Sequence, residues 1–129
     1  MVSVKRLAML AVTGFISVTA SASNWVQVAQ SNDAVFYIDT DSLINSGSYK
    51  QVFSKRVHHD VKTSSSIKYD TAVQLDQIDC KSQPRRLRAL SVIFRLNDEV
   101  AFSIDSPSEW VIAYPDTTGE EIANYLCSH

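Results

Sequence analysis

From Ser66 to Asp79 the chain alternates residue by residue, with Ile67, Tyr69, Thr71, Val73 and Leu75 on one face and Lys68, Asp70, Gln74 and Asp76 on the other. A period of two sends successive side chains to opposite faces of a strand, and a helix does not produce it. This alternation constrains the fold most, because shorter segments of the same period lie on both sides of it, separated by turn residues. "NWVQVAQ" and "AVFYID" flank the polar turn Ser31-Asn32-Asp33 and read as a hairpin. "SYKQVFSKRVHH" follows the turn Asn45-Ser46-Gly47. "RLRALSVIFRL" keeps Leu90, Val92, Phe94 and Leu96 in phase, and Asn97-Asp98 turns the chain into Val100, Phe102 and Ile104. Pro107 then interrupts the ladder, since proline has no N–H to donate, and "EWVIAY" is a last short strand stopped by Pro115.

After Pro115 the period changes. Thr117 precedes Glu120 by three residues and Thr118 precedes Glu121 by three, so either threonine fits a capping box. Ile122, Ala123, Leu126 and Cys127 then share one helical face. The fold expected is α+β, an antiparallel sheet of about six strands with a C-terminal helix on one face.

Residues 1–22, "MVSVKRLAMLAVTGFISVTASA", carry a basic start at Lys5 and Arg6, an apolar run from Leu7 to Val18 and small residues Ala20-Ser21-Ala22. This is the pattern of a secretory signal peptide, and the apolar run is shorter than the ~20 residues that cross a bilayer. The expected mature chain is one domain, residues 23–129, with no transmembrane segment. No cysteine sits near the cleavage site, so the chain is read as exported to the periplasm, the cell surface or the medium without a lipid anchor. Losing Lys5 and Arg6 leaves 10 basic residues against 14 acidic ones, a net charge of 10 − 14 = −4. That balance argues against a nucleic-acid partner.

Export also bears on the two cysteines. Oxidising compartments permit disulfides, and two cysteines allow one intramolecular pairing, Cys80 with Cys127. A helix as short as the terminal one is marginal alone, and this bond would hold its last turn to the end of the long strand.

Trp25 and Val26, "YID" at Tyr37 to Asp39, Ser42-Leu43, Asp79-Cys80, Arg86, Arg88, Trp110, Pro115 and Cys127 stand in an order that resembles the surface-adhesin protein E family of exported bacterial proteins. The resemblance covers nearly all of the mature chain. It implies a six-stranded antiparallel sheet with a C-terminal helix pinned by a disulfide. It further implies a surface adhesin that binds host extracellular-matrix or plasma proteins. Phe53 stands where the family often has tryptophan and is read as filling the same core volume.

Several groups are candidates for chemistry. Lys81, Arg85, Arg86 and Arg88 form the densest basic run, suited to sulfate or carboxylate on a glycan or an acidic protein surface; the plainer reading is a solvated loop and strand. His58 and His59, with Asp60 beside them, are weak candidates for a metal or haem, because neighbours on a strand point apart; the plainer reading is an exposed hairpin end. Trp25, Trp110 and Tyr114 are candidates for an exposed aromatic contact surface; the plainer reading, from their positions in strands, is packing between sheet and helix. Asp39, Asp41 and Ser42 resemble part of a hydrolytic or metal-binding set, but "YIDTDSL" reads more simply as a strand ending in a hydrogen-bonded turn. There is no nucleophile elbow, no H-E-x-x-H and no phosphate-cradling glycine loop. The chain is therefore read as a non-catalytic binding module without a cofactor, with a protein partner and a second copy of itself as the expected associates. The alternatives are a periplasmic envelope protein with an endogenous partner, and a haem or metal binder using His58 or His59.

Overall fold

A computed structural model describes residues 23–129, and the signal-peptide reading of residues 1–22 lies outside them. Eight strands follow one another: β1 (Trp25–Gln30), β2 (Ala34–Asp39), β3 (Ile44–Ser46), β4 (Tyr49–Ser64), β5 (Ile67–Asp79), β6 (Arg86–Leu96), β7 (Glu99–Ile104) and β8 (Val111–Ile112). The helix α1 (Thr118–Cys127) closes the chain. Six strands form the sheet in the order β1-β2-β4-β5-β6-β7, all antiparallel, while β3 pairs with β4 and β8 with β6. The sequence shows the six and a short last strand, of which only Val111–Ile112 pairs as β8, but not the short β3.

The tight turns follow from residues that accept a left-handed backbone. Ser65 and Ser66 (φ 50° and 70°) join β4 to β5, and Asn97 and Asp98 (φ 52° and 67°) join β6 to β7. Gly47 (φ 67°) turns β3 into β4.

The helix covers the face formed by Ile38, Val52, Ser54, Gln74, Asp76, Ile78 and Leu87, as the strand registers and packing show. Ile38, Val52 and Ile78 meet Ala123 and Leu126 in the core. Thr117 caps the helix by accepting from the Glu120 N–H at 3.2 Å, and Glu120 Oε1 accepts from the Asp116 N–H at 3.1 Å. The far end is gripped twice. Lys50 Nζ donates to the Leu126 carbonyl at 2.8 Å, and Cys80 and Cys127 form the disulfide, with Cα atoms 5.6 Å apart.

Register shifts interrupt four of the strand pairs, and two of them alter the expected alternation. Across β4 and β5 the pairing jumps from Val57 opposite Thr71 to Lys62 opposite Tyr69. Tyr69 thereby packs edge-on to Phe94 at 4.8 Å and to His58 at 5.5 Å, on the helix side, so Ile67 and Tyr69 do not share a face with Thr71, Val73 and Leu75 as the alternation predicts. In β6, Ala89 faces Asp76 and Ser91 faces Leu75, which makes Leu90 an extra residue and shifts the phase expected for it.

Phe53 is not core. It is 44% exposed and lies on the face away from the helix, because its partner across the ladder is Leu75 rather than Asp76.

Candidate functional site

The face away from the helix has no element of the described chain laid over it, and it gathers the cations that the sequence scatters. Registers place Trp25, Tyr37, Tyr49, Phe53, Lys55, Val73, Gln77, Asp79, Arg86, Arg88, Ile93 and Arg95 on it. Positions i and i+2 of a strand share a face, so Arg86 and Arg88 point the same way. Both guanidinium groups lie over the Trp110 ring, at 5.2 Å and 4.5 Å from its centroid, and Tyr49 packs on the same indole at 5.5 Å. Arg88 Nε also donates to Gln77 Oε1 at 2.9 Å, which fixes its guanidinium plane.

Arg86 donates to Asp79 Oδ2 at 3.1 Å. Burial works to raise the Asp79 carboxyl, but Arg86 and the backbone N–H groups of Lys81 and Ser82 outweigh it and hold Asp79 below the usual carboxylate range. One negative charge thus answers Arg86, while Arg88 has no acid partner among the described residues.

The rest of the basic run goes elsewhere. Arg85 points to the helix side, donating to Asn124 Oδ1 at 2.8 Å beside a groove of about 450 Å³ lined by Pro84, Ala113, Tyr114 and Pro115. Lys81 is exposed in the turn after β5. The four residues therefore do not make one patch: Arg85, just before β6, turns to Asn124 of the helix, while Arg86 and Arg88 lie over Trp110 on the other face.

The aromatic residues correct a second expectation. Trp25 and Trp110 do not pack between sheet and helix but sit on the opposite face, each beneath a cation, and Tyr114 is 60% exposed. Asp39 and Ser42 behave as read: Asp39 Oδ1 accepts from the Asp41 N–H at 3.1 Å, and Ser42 Oγ donates to the Asp39 carbonyl at 2.8 Å.

His58 is not at an exposed hairpin end, because β4 runs on to Ser64. Its side chain is 6% exposed. Arg56 Nε donates to His58 Nε2 at 3.2 Å, which leaves Nδ1 as the N–H that donates to Asp33 Oδ2 at 3.2 Å. Burial, with the Arg56 charge, keeps the imidazole below its ordinary pKa, so the ring is neutral. Asp33 is held low chiefly by its hydrogen bond to Lys62 and also by His58. With both ring nitrogens engaged, His58 has no lone pair to offer a metal. His59, the next residue of the strand, is exposed. No group of three or more His, Cys, Asp or Glu side chains converges to hold an ion among the described residues.

The helix side buries an acid that alternation alone places on the polar face of β5. Asp76 is 3% exposed, and its carboxyl accepts from Ser54 Oγ and Gln74 Nε2, both at 2.5 Å. Burial pushes its pKa up to about 6 against the opposing effect of these bonds and of Arg56. It lies on β5 between Ser54 of β4 and the first turn of α1, beside Thr118, Gly119 and Ile122.

The family profile described as Surface-adhesin protein E matches residues 25–128. Among solved structures, protein E from non-typeable Haemophilus influenzae is similar with a TM-score of 0.53, over 86% of this chain and 80% of that one, at 14% sequence identity. At that identity the likeness speaks for the fold alone. No curated protein matches.

Proposed function

Because the chain belongs to the surface-adhesin protein E family, we propose that it is an exported, non-catalytic binding module that offers the helix-free face of its sheet to a protein partner. The observation that carries this reading is the Arg86–Arg88–Trp110–Tyr49 cluster on a face with no covering element. Arginine, tryptophan and tyrosine are the residues that most often dominate interface energies, and an arginine held flat on an indole gives up little entropy on binding. Arg88 supplies bidentate recognition of a partner carboxylate. Residues 1–22 direct the chain out of the cytoplasm in this reading, and residues 23–129 are the binding domain. The partner is a host extracellular-matrix or plasma protein, displayed to the bacterium at its surface.

No helix of the described residues is long and apolar enough to cross a membrane. Location is tested by protease treatment of intact cells, with the protein followed through its C-terminus. Loss of the signal supports surface display, whereas protection until the outer membrane is opened sinks it in favour of an endogenous periplasmic partner. Binding is tested on immobilised matrix and plasma proteins with Arg88→Ala and Trp110→Ala, which should each weaken capture at least tenfold. Arg85→Ala and Lys81→Ala should weaken it much less; an equal loss in all four would remove the cluster from consideration.

A further inference from the structure

The helix-free face carries a second group of cations, set apart from the Arg86 and Arg88 cluster. A cavity of about 340 Å³ opens there, lined by Trp25, Asp39, Phe53, Lys55, Val73 and Arg95. Lys55 on β4 faces Val73 on β5, and Arg95 on β6 faces Thr71, so the two long side chains reach over Val73 from strands about 10 Å apart.

Neither cation has an acid partner among the described residues. Lys55 Nζ lies over Trp25 at 4.4 Å and over Tyr37 at 5.4 Å, a setting that positions the ammonium without neutralising it. Arg95 Nε is buried and has no hydrogen-bond acceptor among the described residues. A buried N–H that nothing within the chain accepts is costly, and it marks Arg95 as a cation that the fold leaves unanswered. Arg86 Nε is in the same state, but its guanidinium is answered by Asp79, whereas that of Arg95 is not. Asp39, the one carboxylate in the lining, already accepts the backbone N–H groups of Asn24 and Asp41 on Oδ1.

The cations and the apolar surface lie side by side, with Phe53 44% exposed at the rim. The ligand therefore joins an anion to an apolar face within a short distance. An added peptide strand does not fit, because β4, β5 and β6 are interior strands whose backbone groups are taken up by their neighbours on both sides. Only side chains are available, and the volume is at the small end of ligand sites. We propose that this cavity binds the acidic unit of a saccharide, with its carboxylate or sulfate between Lys55 Nζ and the Arg95 guanidinium and the C–H face of the ring against Phe53. The site uses none of Arg86, Arg88 or Trp110 and stands independently of the protein-partner reading.

The test is a nuclear magnetic resonance titration of the disulfide-bonded protein with glucuronic acid and glucose 6-sulfate, with glucose, inorganic sulfate and a glutamate-rich tripeptide alongside. Both acidic sugars should shift the Trp25 indole and Arg95 Nε–H resonances saturably, and the three other probes should bind at least tenfold more weakly. Lys55→Met and Arg95→Met keep the aliphatic stem over Val73, and each should lower the affinity by about tenfold with the remaining spectrum in place. Arg88→Ala should leave it unchanged. Absence of a saturable shift with either acidic sugar overturns the proposal. So does inorganic sulfate or the tripeptide binding as tightly as the sugars, or full affinity in Arg95→Met.

Discussion

Replacing Asp76 by asparagine should flatten the stability of this protein between pH 4 and pH 7. The carboxyl is raised from 3.8 to about 6 in the folded chain, chiefly by burial. Well below 3.8 it is protonated folded and unfolded alike and adds no pH dependence. Between about 4 and 6 the unfolded chain releases the proton while the folded chain keeps it, so the folded state binds more protons and stability falls as the pH rises. Above about 6 both states are ionised and the folded one bears the full cost. The difference of about 2 units, at 1.36 kcal/mol each, amounts to about 3 kcal/mol. Asparagine has the shape of the protonated acid and still accepts from Ser54 Oγ, while the Gln74 amide can turn to accept from the new NH₂. The assay is urea unfolding of both proteins at half-unit steps from pH 4 to 8. Asp33 and Asp79, held low, impose the opposite trend on both proteins and cancel in the difference. Asp76→Asn should gain on the parent by about 3 kcal/mol across that range; parallel curves would refute the burial argument.

Four further outcomes follow from the same structure. Cys80→Ser opens a link between residues 47 apart, which loop entropy values at about 4 kcal/mol, and calorimetry should show a melting temperature lower by about 15–20 °C. Thr117→Ala removes the helix cap and should cost about 1 kcal/mol in urea unfolding. Lys50→Met removes the ammonium from the Leu126 carbonyl, and amide exchange in the last turn of α1 should quicken about tenfold. His58 should titrate below 6.5 by nuclear magnetic resonance; because its folded pKa is lowered, stability is lost as the pH falls below 6.5, and added zinc should leave its ring signals unmoved.

The strand content, the turn at Asn97-Asp98 and the terminal helix were legible because each depends on neighbours in sequence, and the disulfide was legible because two cysteines allow one pairing. What the alternation could not give was the side on which the helix docks. Gln74 and Asp76 look like a solvent face, yet they lie under α1, while Val73, Leu75 and Phe53 face away from it. The choice follows from where Ile38, Val52 and Ile78 meet Leu126, a contact between residues far apart in the chain. The basic run was visible as composition, but its division between two faces and the indole beneath half of it depend on the pairing of β8 with β6, which brings Trp110 alongside. Arg95 gave no signal at all, because an unanswered cation is defined by what is absent around it.

The bond between Cys80 and Cys127 closes a covalent ring through β6, β7, β8 and α1, and it bears on survival among proteases. The Ser106–Glu109 segment inside that ring is exposed and belongs to no strand, so it is a natural point of attack. A single cut there severs the backbone without releasing a fragment, since the pieces stay tied through sulfur and β6 stays paired with both β7 and β8. Nicked molecules should therefore run as one band until reductant is added and as two afterwards, with the helix-free face still assembled in the interval.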